Sequence, residues 1–175
     1  MKYQIFFIIV LFLSCFSNFS WAAETKDGVN HIELAAVMLK DGHHDRALLA
    51  LQSVDLGDKK TDLTRFYTLQ GLAYMGLNDL EAAKDSLQLA IKNGQKDPAI
   101  YIYLAQSYFG LKDYQKTIDA IQKAGNQVNK NPSLLSMKAE SYWHLQDVNA
   151  AINALNEGQR LFPADFRFQK RQVFY

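Results

Sequence analysis

The sequence predicts an all-α fold, a superhelix of stacked antiparallel helix hairpins preceded by an export signal. One pattern of residue types recurs at an interval of 34 residues, in "YMGLNDLEAA" at 74–83, "YFGLKDYQKT" at 108–117 and "YWHLQDVNAA" at 142–151. A fixed period of this length indicates a repeat architecture. The 175-residue chain is also 49% hydrophobic and 21% charged, which is a globular composition large enough for a core.

The N-terminus has the pattern of a secretory signal peptide. Lys2 precedes the apolar run Ile5–Leu13, which is shorter than the about 20 apolar residues that a membrane-spanning helix needs. A small-x-small exit follows, so we expect a signal peptide at 1–22, with cleavage between Ala22 and Ala23. An uncleaved anchor helix is the alternative. The pattern of this signal favours export to the periplasm of a Gram-negative bacterium.

Cys15 is the single cysteine of the chain. It ends the stretch "FLSC", whose Phe and Leu depart from the residues that a bacterial lipoprotein signal favours, so we expect no lipid anchor. Cleavage after Ala22 would leave a mature chain without cysteine, and its stability must then come from packing.

Each column of the repeat has a role in a helix hairpin. The columns are position 8 (Gly71, Ala105, Ala139), position 11 (Tyr74, Tyr108, Tyr142), position 14 (Leu77, Leu111, Leu145), position 16 (Asp79, Asp113, Asp147) and position 20 (Ala83, Thr117, Ala151). Small residues at positions 8 and 20 allow two helices to approach closely, and the Tyr fills the gap that remains. Asp at position 16 lies between the helices, where it caps the second one. One hairpin cannot bury its apolar face alone, so the units must stack.

This pattern resembles the tetratricopeptide repeat, whose 34-residue consensus carries Trp, Leu, Gly, Tyr, Ala, Phe, Ala and Pro at set positions. Pro163 occupies the final column of the last copy. A weaker unit comes first, with Ala35 and Ala47 in the small columns and two extra residues in the linker Asp55–Asp62. The resemblance implies a repeat domain over 28–163, with units at about 28–61, 64–97, 98–131 and 132–165.

The segment 164–175 starts another first helix and is rich in aromatic residues. We expect it either to pack on the fourth hairpin and present aromatic groups to a partner, or to be the beginning of a further repeat of a longer array. Self-association through this helix is the corresponding prediction.

No arrangement of residues in the sequence indicates catalysis or a cofactor. His43 and His44 lie in a predicted turn beside Asp41 and Asp45, but an adjacent pair lacks the helical i,i+4 spacing of a zinc site. The formal net charge of +1 provides no basic field for nucleic acid. We therefore expect a protein that is not an enzyme, with no metal, no cofactor and no nucleic-acid partner.

The resemblance implies that positions 2, 5, 9, 12 and 13 of each first helix line a concave surface. The predicted peptide-binding groove consists of Leu72, Met75, Ile102, Gln106, Phe109, Glu140, Trp143 and His144. Five of these form an apolar track that suits an amphipathic helix or an extended peptide. Burial of the track by a tight superhelix or by a neighbouring copy is the alternative. The Lys and Asn that some family members use to hold a terminal carboxylate are absent at positions 5 and 9.

The leading functional hypothesis is therefore an exported interaction module that holds segments of envelope proteins, in the assembly of an envelope, secretion, pilus or polysaccharide system. A segment of a longer, self-associating scaffold is the second hypothesis. A third is a catalytic domain beyond Tyr175, which nothing in the sequence supports.

Overall fold

A computed structural model of the protein describes residues 29–171, with side chains described through Phe168. Within that range the secondary structure is entirely helical, so the predicted all-α fold is confirmed. The elements are α1 (His31–Lys40), α2 (His44–Gln52), α3 (Leu63–Gly76), α4 (Leu80–Lys92), α5 (Ala99–Gly110), α6 (Tyr114–Lys123), a 3₁₀ helix (Gly125–Lys130), α7 (Pro132–His144), α8 (Val148–Leu161) and α9 (Phe166–Arg171). The predicted signal peptide 1–22, with Cys15 and the Ala22–Ala23 bond, lies outside the described residues.

Consecutive helices pair into four antiparallel hairpins, α1/α2, α3/α4, α5/α6 and α7/α8, which we call hairpins 1 to 4. Each first helix contacts the first helix of the next hairpin, and each second helix packs against the first helix that follows it. Second helices of neighbouring hairpins contact each other less. This asymmetry curves the stack into the predicted superhelix and places the first helices on its inner side.

The turns inside the hairpins repeat one backbone conformation. Position 15 lies in the left-handed region in all four hairpins, with φ of 78° at Gly42, 61° at Asn78, 62° at Lys112 and 63° at Gln146. This conformation reverses the chain before position 16, which caps the second helix. In hairpins 2 to 4 the Asp at position 16 accepts a hydrogen bond from the backbone N–H three residues later, at 3.1, 3.3 and 3.0 Å. The predicted capping role of the Asp column is confirmed.

The small columns mark the closest approach of the two helices in a hairpin. All six residues at positions 8 and 20 of hairpins 2 to 4 are buried. A Cβ atom at Gly71 would lie 2.7 Å from Cγ of Leu87 and 3.3 Å from the carbonyl oxygen of Ala83. Such distances are shorter than van der Waals contact, so a side chain at Gly71 would push α3 away from α4.

The core follows the inside of the stack in two clusters. One joins hairpins 1 and 2 through residues that include Ile32, Leu51 and Phe66, and the larger one extends from Leu87 to Phe168. Of the Tyr column, Tyr108 is buried, whereas Tyr74 and Tyr142 are half-buried. Gln88 Nε2 donates a hydrogen bond of 2.6 Å to the Tyr108 hydroxyl, which satisfies the polar end of that ring.

Helix α9 packs against hairpin 4 through one aromatic ring. Phe168 is fully buried, and its ring lies against Gly158, where an added Cβ would overlap it. Phe168 stands at position 3 of a further unit, the column that holds the buried Phe66, Ile100 and Leu134 in hairpins 2 to 4. Phe166, in contrast, is 64% exposed. Helix α9 therefore occupies the place where the first helix of a next repeat would begin.

Candidate peptide-binding groove

The inner surface of the stack carries one row of large apolar side chains. Position 12 of the four first helices supplies Leu39, Met75, Phe109 and Trp143, and Trp143 is 40% exposed. Because successive first helices lie beside each other, these four side chains follow one another along the concave face. The row increases in aromatic character toward the fourth hairpin.

All eight residues of the predicted groove lie on first helices, but they are less open than the sequence suggested. The half-buried ones are Leu72, Met75, Ile102, Gln106, Phe109 and Glu140. Met75 and Ile102 pack against the larger core cluster, so they are shared between the groove floor and the core. Trp143 and His144 are exposed at the far end of the groove. The most accessible part of the predicted site is therefore its aromatic end.

A repeated contact joins each hairpin to the next at the rim of this groove. The first residue of a second helix, at position 17, lies against position 13 of the following first helix: His44 on Gly76, Leu80 on Gly110 and Tyr114 on His144. A Cβ atom at Gly76 or Gly110 would overlap the facing side chain, so these glycines make room for it. At the third junction a ring replaces the glycine.

The third junction forms a row of three rings. Tyr114 stacks on His144 with a centroid separation of 4.3 Å and an interplanar angle of 9°, and Phe109 meets Tyr114 edge-on at 6.1 Å and 70°. We call Phe109, Tyr114, His144 and the neighbouring Trp143 the aromatic shelf. Tyr114 was not among the predicted groove residues because it belongs to a second helix. Its spacing of 34 residues from Leu80 was the signal that could have identified it.

An arginine forms an ion pair at each end of the row of first helices. Arg65, at position 2 of hairpin 2, donates two hydrogen bonds to the Glu33 carboxylate, at 2.5 and 2.7 Å. At the other end Arg167 pairs with Asp165 at 2.5 Å and also donates to the Ser133 hydroxyl at 3.1 Å. The hydrogen bond from Arg167 lowers the pKa of the Asp165 carboxyl below its usual value. Both arginines are thus already engaged within the stack.

The described part of the chain has neither a metal-binding cluster nor a membrane-spanning helix. Between residues 29 and 168, no group of three or more His, Cys, Asp or Glu side chains is arranged to hold a metal ion. Within the same part of the chain, none of the helices has the length and apolar character needed to cross a lipid bilayer.

Comparisons with known proteins agree with this architecture. The family model described as "Tetratricopeptide repeat" matches residues 64–93, and the model for "Anaphase-promoting complex, cyclosome, subunit 3" matches residues 85–158. No curated protein sequence matches the chain.

Solved structures of low sequence identity share the fold. MamA is 18% identical with a TM-score of 0.64, covering 75% of this chain and 70% of MamA. PilF of Pseudomonas aeruginosa is 13% identical with a TM-score of 0.66, covering 83% of this chain and 65% of PilF. Cut9, in its anaphase-promoting complex hetero-tetramer with Hcn1, is 20% identical with a TM-score of 0.63, over 80% of this chain and 28% of the other.

Proposed function

The chain belongs to the tetratricopeptide repeat family, and from this premise we propose that it is a non-enzymatic module that binds a segment of another protein in its concave groove. The stacked-hairpin fold supports protein–protein interaction because it presents an extended inner surface built from many side chains. The finer proposal is that the bound segment is an amphipathic helix or an extended peptide, and that it is held at the aromatic shelf.

The observation that carries the proposal is the geometry of the shelf. The Tyr114 ring contacts both Phe109 and His144, while Trp143 and His144 remain exposed. Pre-ordered aromatic rings gain contact area on binding with little loss of side-chain entropy, which is why such residues dominate binding energy at interfaces. An apolar side chain of a partner laid against Phe109 and Trp143 would be shielded from water.

The predicted signal peptide determines the proposed setting. A chain exported through residues 1–22 would meet its partners in the bacterial envelope, in the periplasm. Assembly of an envelope, secretion, pilus or polysaccharide system is the role that we propose there. This part rests on the signal pattern and on fold analogy.

A double variant of the shelf tests the binding proposal. Phe109→Ser with Trp143→Ser removes two large rings from the concave face, and capture of partner proteins from the envelope fraction should be lost. The matched control is Leu49→Ser with Leu89→Ser, which removes two exposed apolar side chains from second helices. Circular dichroism should show the same helical content in both variants. Partner capture by the shelf variant at the level of the control would contradict the proposal.

A second candidate function, self-association into a longer array, is favoured by the open edge of hairpin 4. Val148 stands at position 17, which the following helix covers in hairpins 1 to 3, yet Val148 is 40% exposed and Ile152 is 36% exposed. If copies meet at this edge, Val148→Asp with Ile152→Asp should reduce the mass measured by light scattering to that of one chain. A wild-type chain that is monomeric at high concentration would remove this candidate.

A further inference from the structure

The apolar row at position 12 runs across the first helices rather than along any one of them. Leu39, Met75, Phe109 and Trp143 each come from a different first helix. These helices contact each other in sequence, α1 with α3, α3 with α5 and α5 with α7. Because packed helices lie about 8–10 Å apart from axis to axis, successive side chains of the row recur at about that interval.

Ring contacts measure the same interval at the aromatic end of the row. The Tyr114 ring lies 6.1 Å from the Phe109 ring and 4.3 Å from the His144 ring. Since Tyr114 contacts both, the Phe109 and His144 rings are at most about 10 Å apart. Trp143 is the residue before His144 in α7, so the third and fourth members of the row lie at an interval of about this size.

This interval distinguishes a helical partner segment from an extended one. In an α-helix, residues seven apart lie on the same face and are about 10.5 Å apart along the axis. In an extended chain, side chains on the same face are about 7 Å or about 13 Å apart, and the residue at about 10 Å points to the opposite face. A helix can therefore place a side chain on each of three successive members of the row, whereas an extended segment cannot.

The charge of the inner surface defines the face that such a helix would present. Positions 5, 9 and 12 of hairpins 2 to 4 supply nine inner residues, of which Glu140 alone is charged. Arg65, at the rim of hairpin 2, is engaged by Glu33. A complementary face is therefore apolar and uncharged along its length, so the charged residues of the partner must lie on its other side.

We propose that the groove takes an amphipathic α-helix that lies across the first helices and carries an apolar side chain at every seventh residue. This inference rests on the proposed function of the groove, and it decides between the two kinds of segment named there. Three such side chains, placed on Met75, Phe109 and Trp143, would span about 21 Å of helix. The contacts with Phe109 and Trp143 should contribute most, because Met75 is shared with the core.

Three fluorescein-labelled peptides test the proposal by fluorescence anisotropy with the full chain. The first, LAKAAEALAKAAEALAKAAEA, is an amphipathic helix with a leucine at every seventh residue. The second, LAKAAEAKALAAEALAKAAEA, has the same composition, but its middle leucine lies on the opposite side of the helix. The third, LAKAPEALAKAPEALAKAAEA, keeps the leucines and contains two prolines that break the helix. We expect the first to bind, and the second and third to bind at least about tenfold more weakly.

Protein variants locate the site. Phe109→Ser with Trp143→Ser should abolish binding of the first peptide, and the control Leu49→Ser with Leu89→Ser should leave it unchanged. Equal binding of the first and third peptides, lost in the shelf variant, would overturn the helical occupant but leave the groove as the binding surface. Equal binding of the first and second peptides, or no binding of the first, would also overturn the inference. Wild-type binding of the first peptide by the shelf variant would contradict both the inference and the groove.

Discussion

The junction between hairpins 1 and 2 and the junction between hairpins 3 and 4 bring the same two repeat positions, 17 and 13, into contact, but with different residues. Between hairpins 1 and 2, the His44 ring lies on Gly76, and its Nδ1 is buried without a hydrogen-bond partner in the described structure. Between hairpins 3 and 4, Tyr114 lies on the His144 ring instead. The residues before them also differ, since His43 makes no side-chain cap for α2 whereas Asp113 caps α6.

The difference shows how one repeat contact serves packing at one end and exposes ring surface at the other. With glycine at position 13, the side chain at position 17 packs against the backbone there, and position 13 itself adds no side chain to the groove. With His144 at that position, two rings stack and continue the row that starts at Phe109. The last junction is therefore the place where a ring replaces the glycine of the repeat contact, and it is where we propose that recognition occurs.

The largest effect should come from making the first junction resemble the last. Gly76→His places a Cβ atom and a ring where His44 now lies, and overpacking of this kind costs about 1–3 kcal/mol. The free energy of unfolding in urea should fall by that amount. Adding His44→Ala should restore part of the lost stability. An unchanged unfolding free energy for Gly76→His would show that the junction accommodates a second ring without strain.

A smaller effect, of opposite sign, should follow from making the first junction resemble the second. His44→Leu copies the Leu80–Gly110 contact and removes the buried Nδ1 that lacks a partner. A buried polar group left unsatisfied costs about 1–3 kcal/mol, so we expect the unfolding free energy to rise by about 1 kcal/mol. His44→Gln, which keeps a polar side chain, should not produce this gain. A loss of stability in His44→Leu would indicate that the ring makes contacts that Leu cannot replace.

The missing cap of α2 offers a gain of about 0.5–1 kcal/mol. His43 has backbone angles of −90° and 71°, close to the −84° and 74° of Asp113, so an Asp introduced there can accept from the start of the helix. We expect His43→Asp to raise the urea midpoint without changing the slope of the transition. His43→Ala is the control, and an equal rise in both variants would exclude capping as the cause.

The smallest effect at neutral pH should be a change in acid sensitivity at the last junction. A hydrogen bond from the Lys116 side chain lowers the pKa of Asp113, so the stabilisation is present above the unfolded value of about 3.9 and is lost as pH falls through the folded pKa. Asp113→Asn keeps an N-cap residue but removes this titration. The stability of the wild type should therefore fall relative to that of the variant as the pH drops below about 4. Parallel pH profiles for the two chains would contradict this assignment.

The sequence predicted those features of the fold that depend on residue type at fixed spacing. The small columns around Gly71 and Ala83, and the Asp column that caps α4, α6 and α8, are examples, because spacing alone places them at helix contacts or helix starts. The half-burial of Met75 and Ile102 could not be predicted, since it depends on how far the stack curves. Tyr114 was missed because the resemblance assigned groove residues to first helices only.

Hairpin 3 illustrates a second limit of sequence reasoning. Position 7 is linked to the second helix in hairpins 2 and 4, where Gln70 accepts a hydrogen bond from Ser86 and Lys138 pairs with Glu157. Leu104 in the place of Gln70 and Lys138 is visible in the repeat alignment as one more apolar residue. Its consequence, a missing bridge between α5 and α6, depends on which side chains reach across the hairpin. Only the structure shows that Lys116 and Lys123 of α6 lie near the Tyr108 and Tyr101 rings of α5.

The measurement that tests the central claim most directly is site-specific photocrosslinking in the cells that make the protein. A photoreactive residue replaces Phe109 on the aromatic shelf in one chain and the 65% exposed Leu49 on a second helix in another. Recognition at the shelf predicts a discrete crosslink to one envelope protein from position 109 and none to that protein from position 49. The absence of any crosslink at 109, or the same crosslinked protein from both positions, would contradict the account.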